Sequence, residues 1–251
     1  MEYFNLDGKV ALVTGGNRGL GGAMAYGLAE AGADVAIVQR SSEETDVAAN
    51  IRELGRKCEV FSFDISETNL LSELVDSVNE TFGQIDILVN NAGVQHRSPA
   101  AEFKEEDWDF VIDVNQKAVF FLCQLVGRKM LKQGSGKIIN LASLLSFQGG
   151  FTVPAYAAAK GGVAQFTKSL SNEWASRNVN VNAIAPGYMA TDMNTALIQD
   201  DSRNRQILER IPAGRWGKPE DMVGAAIFLA SRASDYINGE IITVDGGWMG
   251  R

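Results

Sequence analysis

Val10-Ala-Leu-Val-Thr14-Gly15-Gly16-Asn17-Arg18-Gly19-Leu20-Gly21 decides the fold: a short apolar run breaks into a glycine cluster, and a helical pattern opens directly behind it. Gly15 permits a tight turn, Gly19 lets backbone approach a pyrophosphate, and Gly21 lets the helix pack on the strand. The helix N-terminus then offers free N–H groups and the positive end of its dipole to an anion. The spacing is G-x-x-x-G-x-G rather than G-x-G-x-x-G, so a plain turn competes with a phosphate loop on spacing alone. Its seat between a first strand and a first helix favours the dinucleotide reading.

Working outward, short β-branched runs alternate with longer amphipathic stretches. Strands are predicted at Val10–Val13, Val35–Val38, Val60–Phe63, Ile85–Val89, Lys137–Leu141, Val179–Ile184 and Ile241–Val244. Helices are predicted at Gly21–Ala31, Leu70–Phe82, Trp108–Leu131, Tyr156–Ser176 and Pro219–Ala230. Near-continuous apolar strands separated by helices imply a seven-stranded parallel sheet covered on both faces, the doubly wound, Rossmann-like α/β architecture. No linker, low-complexity tract or solenoid-length repeat interrupts the pattern, so residues 1–251 read as one dinucleotide-binding and catalytic domain. The polar segment 190–217, between the sixth strand and the last helix, is expected to form a lid over substrate within it.

The bulk numbers exclude several classes. A net charge of −8 argues against a nucleic-acid or anionic-membrane surface. The longest purely apolar runs, such as Ala118 to Cys123, are too short to cross a bilayer, and the N-terminus carries no basic or apolar leader pattern. Cys58 and Cys123 lie far apart and read as reduced core thiols. A soluble, cytoplasmic protein is expected. His96 is the only histidine and there is no G-x-S-x-G elbow, so a serine-hydrolase triad fits poorly. The glycine loop lacks a Walker lysine, and no His/Cys spacing suits zinc, so no metal is expected.

At the end of the second strand, a carboxylate would bind the adenosine ribose and repel a 2′-phosphate. That place holds Gln39, followed by Arg40, Ser41 and Ser42. A guanidinium beside hydroxyls suits a phosphate monoester, and Arg18 in the loop adds a second cation. The pattern favours NADP(H) over NAD(H).

Chemistry is carried by Pro154-Ala-Tyr156-Ala-Ala-Ala-Lys160, where four-residue spacing puts a phenol and an ammonium on one helix face. A nearby positive charge favours phenolate and is expected to lower a pKa that starts at about 10. Ser143 ends the strand stretch Ile138-Ile-Asn-Leu-Ala-Ser143 at the ligand-binding edge; its hydroxyl either holds a substrate oxygen or caps the next turn. Asn90-Asn91-Ala92-Gly93 leaves the fourth strand at that same edge. Asn115 lies in an otherwise apolar helix, where its amide needs partners that either the main chain or bound water can supply.

In this order and spacing, these elements, with Asp64, Pro186-Gly187 and Val244-Asp-Gly-Gly247, resemble the short-chain dehydrogenase/reductases over essentially the whole chain. The resemblance implies Tyr156 as general acid/base and Lys160 as the group that lowers its pKa and holds the nicotinamide ribose. Ser143 would orient the substrate oxygen and Asn115 would hold a water in a proton relay. It implies cofactor contacts from Gly15, Asn17, Arg18, Gly19 and Leu20, from Arg40 and Ser41, and from Asp64 and Ile65 at the adenine. Asn91, Ala92 and Gly93 would meet the adenosine-side ribose region. Pro186, Gly187 and Thr191 would meet the carboxamide or phosphates, alongside Tyr156 and Lys160. A homotetramer follows from the same resemblance. The segments Leu141–Gly150, Ala183–Thr191, Ile211–Gly217 and Asp245–Trp248 look like the sugar-acid branch of that family. Arg97, Arg215 and Arg251 are its candidate carboxylate-binding cations. The competing readings are a carbonyl reductase acting on a non-sugar ketone or secondary metabolite and a cofactor-sensing protein without turnover.

Overall fold

The computed structural model describes residues 2–251. Seven strands pair in one all-parallel sheet: β1 (Val10–Thr14), β2 (Asp34–Gln39), β3 (Cys58–Ser62), β4 (Ile87–Asn90), β5 (Gly136–Leu141), β6 (Val179–Pro186) and β7 (Ile241–Val244). The spatial order is β3-β2-β1-β4-β5-β6-β7. The seven expected strands are all present, their ends moved by a few residues. Every residue of β1 and β4 is buried, as a sheet covered on both faces requires.

On one face, α1 (Gly19–Glu30), α2 (Asp46–Glu53) and, late in the chain, a helix at Val223–Ala230 cover the sheet around Met24, Leu28, Ile37 and Leu229. On the other lie α3 (Leu71–Phe82), α4 (Glu105–Ile112), α5 (Ala118–Gln133) and α6 (Pro154–Trp174), packed around Leu74, Leu88, Leu122 and Val163. Two short helices, α7 (Thr195–Gln199) and α8 (Asp201–Arg210), follow β6, which makes the Val223–Ala230 helix α9.

Three helices are not among the predicted set. In α2 only Ala48 and Ile51 are buried, so its apolar stripe is too thin to read; the Thr45 hydroxyl caps it by accepting the Ala48 N–H at 3.1 Å. α7 buries nothing and α8 only Ile207. The predicted Trp108–Leu131 helix is real but interrupted. Residues Asp113–Lys117 form a π turn between α4 and α5, and Asn115 sits in it, fully buried. The continuous span Glu105–Gln133 is long and apolar enough to cross a membrane by length and composition. Here it is a core helix, because half of its most apolar stretch is buried against the sheet and its neighbours. Gly162 of α6 permits the close approach of this turn, since a Cβ there would fall 2.1 Å from Gln116 Nε2.

Candidate active site

The strand order reverses direction between β1 and β4, and a cleft of about 740 Å³ opens there at the carboxyl ends of the strands. Register pairs Thr14 with Asn90, so the glycine loop and the Asn91–Gly93 turn leave the sheet at one level. All the residues expected to hold a cofactor line this cleft except Gly187. Gly187 is a packing glycine: a Cβ there would meet the Asp245 Cα at 2.6 Å.

The phosphate end is built as a cradle. Gly15 and Gly19 take φ of +64° and +55°, a region that L side chains avoid. A Cβ on Gly21 would lie 2.2 Å from the Gly15 carbonyl oxygen and 2.3 Å from Asn91 Nδ2. The first turn of α1 has no side-chain cap, which leaves its amides for an anion. Asn91 Nδ2 donates to the carbonyls of Thr14 and Gly15, both at 3.1 Å, so this amide braces the loop. Thr14 was not singled out from sequence, yet its Oγ1 accepts the N–H groups of Asn91 and Ala92 at 3.0 and 3.1 Å and ties β1 to β4. A hydroxyl at the strand end was the only available signal.

At the end of β2, Gln39 turns its carboxamide away from ligand duty. Nε2 donates to the Ser41 and Glu43 carbonyls at 2.9 and 2.7 Å, shaping the turn that presents Arg40 and Ser41. Arg40 is exposed and makes no ion pair among the described residues; its charge reaches Asp64. Partial burial opposes ionisation of Asp64, but the Ser66 hydroxyl and amide, with Arg40, hold its pKa below the usual carboxylate range. Arg18 is already engaged: its guanidinium meets the Asp192 carboxylate at 2.9 Å across the cleft mouth.

The chemical centre lies where β5, the following turn and α6 meet. Lys160 is buried; its ammonium donates to the Leu141 carbonyl at 2.5 Å and lies 5.7 Å from the Tyr156 ring centroid. Burial pulls the Lys160 pKa down to about 8. Burial also raises the Tyr156 pKa, while the Ser143 hydroxyl and the Arg97 charge pull it back down. Lys160 is not among the groups that pull the phenol's pKa down here. The ammonium sits over the ring face, turned to a main-chain oxygen, and the groups that favour phenolate arrive from β5 and from the segment after Gly93.

Of the two roles left open by the sequence for Ser143, the structure shows the cap. Its Oγ accepts the Leu145 N–H at 3.1 Å as a cap, which leaves its own proton available to the phenol side. The Asn115 amide is satisfied by main chain: Oδ1 accepts the Val94 N–H at 2.9 Å and Nδ2 donates to the Val94 carbonyl at 2.7 Å. The side chain thus anchors the cleft wall.

The three candidate cations separate cleanly. Arg215 forms a two-pronged pair with Asp221 at 2.6 and 2.9 Å and lines a separate cavity of about 200 Å³. Arg251 donates to the Glu209 carbonyl at 2.9 Å. Arg97 is exposed, makes no hydrogen bond or ion pair among the described residues, and acts on Tyr156 through space. The segment 190–217 leaves and rejoins the fold at one place: Met189 bridges Gly217, and Ala190 N–H donates to the Gly217 carbonyl at 2.8 Å. Ala190, Thr191, Asp192 and Met193 form one wall of the cleft.

A nicotinamide dinucleotide fits this arrangement: an uncapped helix end over a glycine cradle at one end, and a half-buried phenol beside a buried ammonium at the other. The short chain dehydrogenase family model matches residues 9–202. The chain belongs to the short-chain dehydrogenases. It is accordingly an oxidoreductase acting on CH–OH groups. This short-chain dehydrogenase is 53% identical, over the full length of both chains, to the 2-dehydro-3-deoxy-D-gluconate 5-dehydrogenase of Pseudoalteromonas atlantica. It superposes on the gluconate 5-dehydrogenase of Burkholderia cenocepacia, solved with NADP and tartrate, at a TM-score of 0.96. That pair shares 42% identity, covering 100% of this chain and 98% of the other. A structure from Agrobacterium tumefaciens with bound NADP, provisionally named 2-deoxy-D-gluconate 3-dehydrogenase, is 50% identical over 100% of both chains, with a TM-score of 0.94.

Proposed function

We propose that this enzyme interconverts a ketone and a secondary alcohol on a sugar acid or polyol, with NADP(H) favoured over NAD(H) and Tyr156 as general acid/base. One observation carries the reading: a half-buried phenol lines the cleft, and a serine hydroxyl and an unpaired guanidinium both act on it. The dinucleotide, when bound, supplies or accepts the hydride. Everything else is done by the chain. The glycine loop and α1 hold the phosphates, Asp64 and Ile65 flank the adenine end, and Lys160 with Thr191 and Pro186 orients the nicotinamide end. Ser143 holds the substrate oxygen beside the phenol. A phenol is protonated at neutral pH and burial raises the Tyr156 pKa further, so it starts as the acid in ketone reduction and gives its proton to the oxygen. In alcohol oxidation it must first lose that proton, which rising pH favours.

Arg97 is the cation for the substrate carboxylate, supported by its freedom and position and by the sugar-acid names of the relatives. Arg40 and Ser41 supply the 2′-phosphate contact, with the uncharged Gln39 in place of a repelling carboxylate. The 190–217 segment acts as the substrate lid, and the Asn115 turn supports the proton relay. The enzyme assembles as a homotetramer. Trp108, Phe110 and Phe121 turn outward from the α4–α5 helix, whereas Ala118, Val119, Leu122 and Val126 pack inward.

The test is a panel of sugar acids, polyols and apolar ketones assayed with both cofactors, alongside Tyr156→Phe. Turnover is expected on the sugar acids with NADP(H), with most of it lost in Tyr156→Phe and NADPH affinity kept. Near-normal kcat in that variant, or turnover confined to apolar ketones, overturns the reading.

A further inference from the structure

We propose that Ser146 is a positioning residue for proton transfer, holding the Ser143 turn against helix α6 at the residue that also carries the buried ammonium. The proposal rests on the reading of Tyr156 as general acid/base. Ser146 follows Ser143 by three residues and closes a capping box with it. Its Oγ accepts the Ser143 N–H at 3.2 Å and donates to the Lys160 carbonyl at 2.7 Å. One hydroxyl therefore touches the main chain of both flanking groups of the catalytic set.

Lys160 returns the connection from its other end, through the ammonium bond to the Leu141 carbonyl. The end of β5, the Ser143–Ser146 turn and one turn of α6 thus form a closed ring of hydrogen bonds. Within that ring Ser143 Oγ is oriented by the Leu145 N–H, and its proton is left for the phenol oxygen. If the Ser146 hydroxyl is removed, the turn keeps its apolar anchor at Leu144 but loses its hydrogen bond to the Lys160 carbonyl of α6. Ser143 can then drift relative to Tyr156, which rides on the same helix four residues before Lys160. Sub-ångström placement matters here, since small misplacements of a catalytic contact cost rate out of proportion to stability.

Ser146→Ala and Ser146→Thr are compared with the wild type by four readouts: kcat and KM for a ketone substrate, NADPH affinity by fluorescence titration, Tm, and Tyr156 ionisation by tyrosinate absorbance against the Tyr156→Phe protein. Ser146→Ala is expected to lower kcat by about 2- to 10-fold, the range for one hydrogen bond of ordinary strength. KM and NADPH affinity stay unchanged, and Tyr156 ionises at higher pH because Ser143 no longer supports the phenolate. Ser146→Thr keeps the hydroxyl and restores both kcat and the titration. Ser146→Cys, nearly isosteric with a weak donor, should fall between and carries the test if the alanine variant does not fold. A fall in Tm with kcat and the Tyr156 titration unmoved assigns Ser146 a purely structural role and overturns the proposal, as does failure of threonine to restore them. A fully active Tyr156→Phe sinks the acid/base reading itself. An inactive Tyr156→Phe beside an unaffected Ser146→Ala and Ser146→Cys sinks only the role of Ser146.

Discussion

Arg97→Met separates substrate recognition from proton transfer. The guanidinium is exposed and unpaired and acts on the Tyr156 phenol, so its loss has two independent consequences. Toward a carboxylate substrate, a charge-assisted hydrogen bond contributes about 1.5–3 kcal/mol. Because Arg97 is exposed, solvent screening reduces this to about 0.2–1 kcal/mol, roughly a 1.4- to 5-fold loss in kcat/KM. That loss should appear as a raised KM for a keto acid and vanish for a neutral keto polyol of the same length. The second consequence concerns Tyr156: without the nearby positive charge its pKa rises further. Sign follows directly. Alcohol oxidation, which needs tyrosinate, shifts its pH profile to higher pH for both substrates, while ketone reduction at neutral pH uses the protonated phenol and does not. The assay is therefore steady-state reduction at pH 7 with the keto acid and neutral polyol in parallel, then oxidation from pH 6 to 10. An equal loss on both substrates in reduction, or no loss on either, refutes Arg97 as the carboxylate's partner. An unmoved oxidation profile refutes its action on Tyr156.

Gly21→Ala forces a methyl group against the Gly15 carbonyl and the Asn91 amide, at 2.2 and 2.3 Å, and backbone there has no room to yield. Denaturant unfolding should register a loss of about 1–3 kcal/mol, and fluorescence titration a weaker NADPH affinity. Lys160 carries a pH signature: its folded pKa of about 8 lies below the unfolded value of 10.5, so between these values the unfolded chain holds the extra proton and stability rises with pH. From pH 7 to above pH 10, the wild type should gain about 3 kcal/mol relative to Lys160→Met in urea unfolding, at about 1.4 kcal/mol per pH unit. Burial pushes the Cys58 and Cys123 thiols up to about 12, so a thiolate-specific disulfide reagent at pH 8 should label neither in the native protein and both after unfolding.

The order of strand, glycine cluster and helix is local, and so the doubly wound sheet, its seven strands and the phosphate loop could be read from Val10–Gly21 and its repeats downstream. The Tyr156–Lys160 pair was legible for the same reason, since helical periodicity alone sets it on one face. What the chain order could not convey was which groups these residues meet. The clasp of the Asn115 amide on Val94 and the Arg18–Asp192 pair join segments far apart in sequence, and the π turn at Asn115 and the capture of Arg215 by Asp221, six residues on, carry no signal in the residue pattern. The electrostatics of the phenol belong to that second class. Sequence placed an ammonium one turn away and predicted a lowered pKa. The fold instead buries both groups, so desolvation raises the tyrosine and lowers the lysine, and leaves Ser143 and Arg97 to favour the phenolate. Spacing along a helix is written in one segment of chain. The dielectric around a side chain is set by everything that packs against it, and only the tertiary structure decides that.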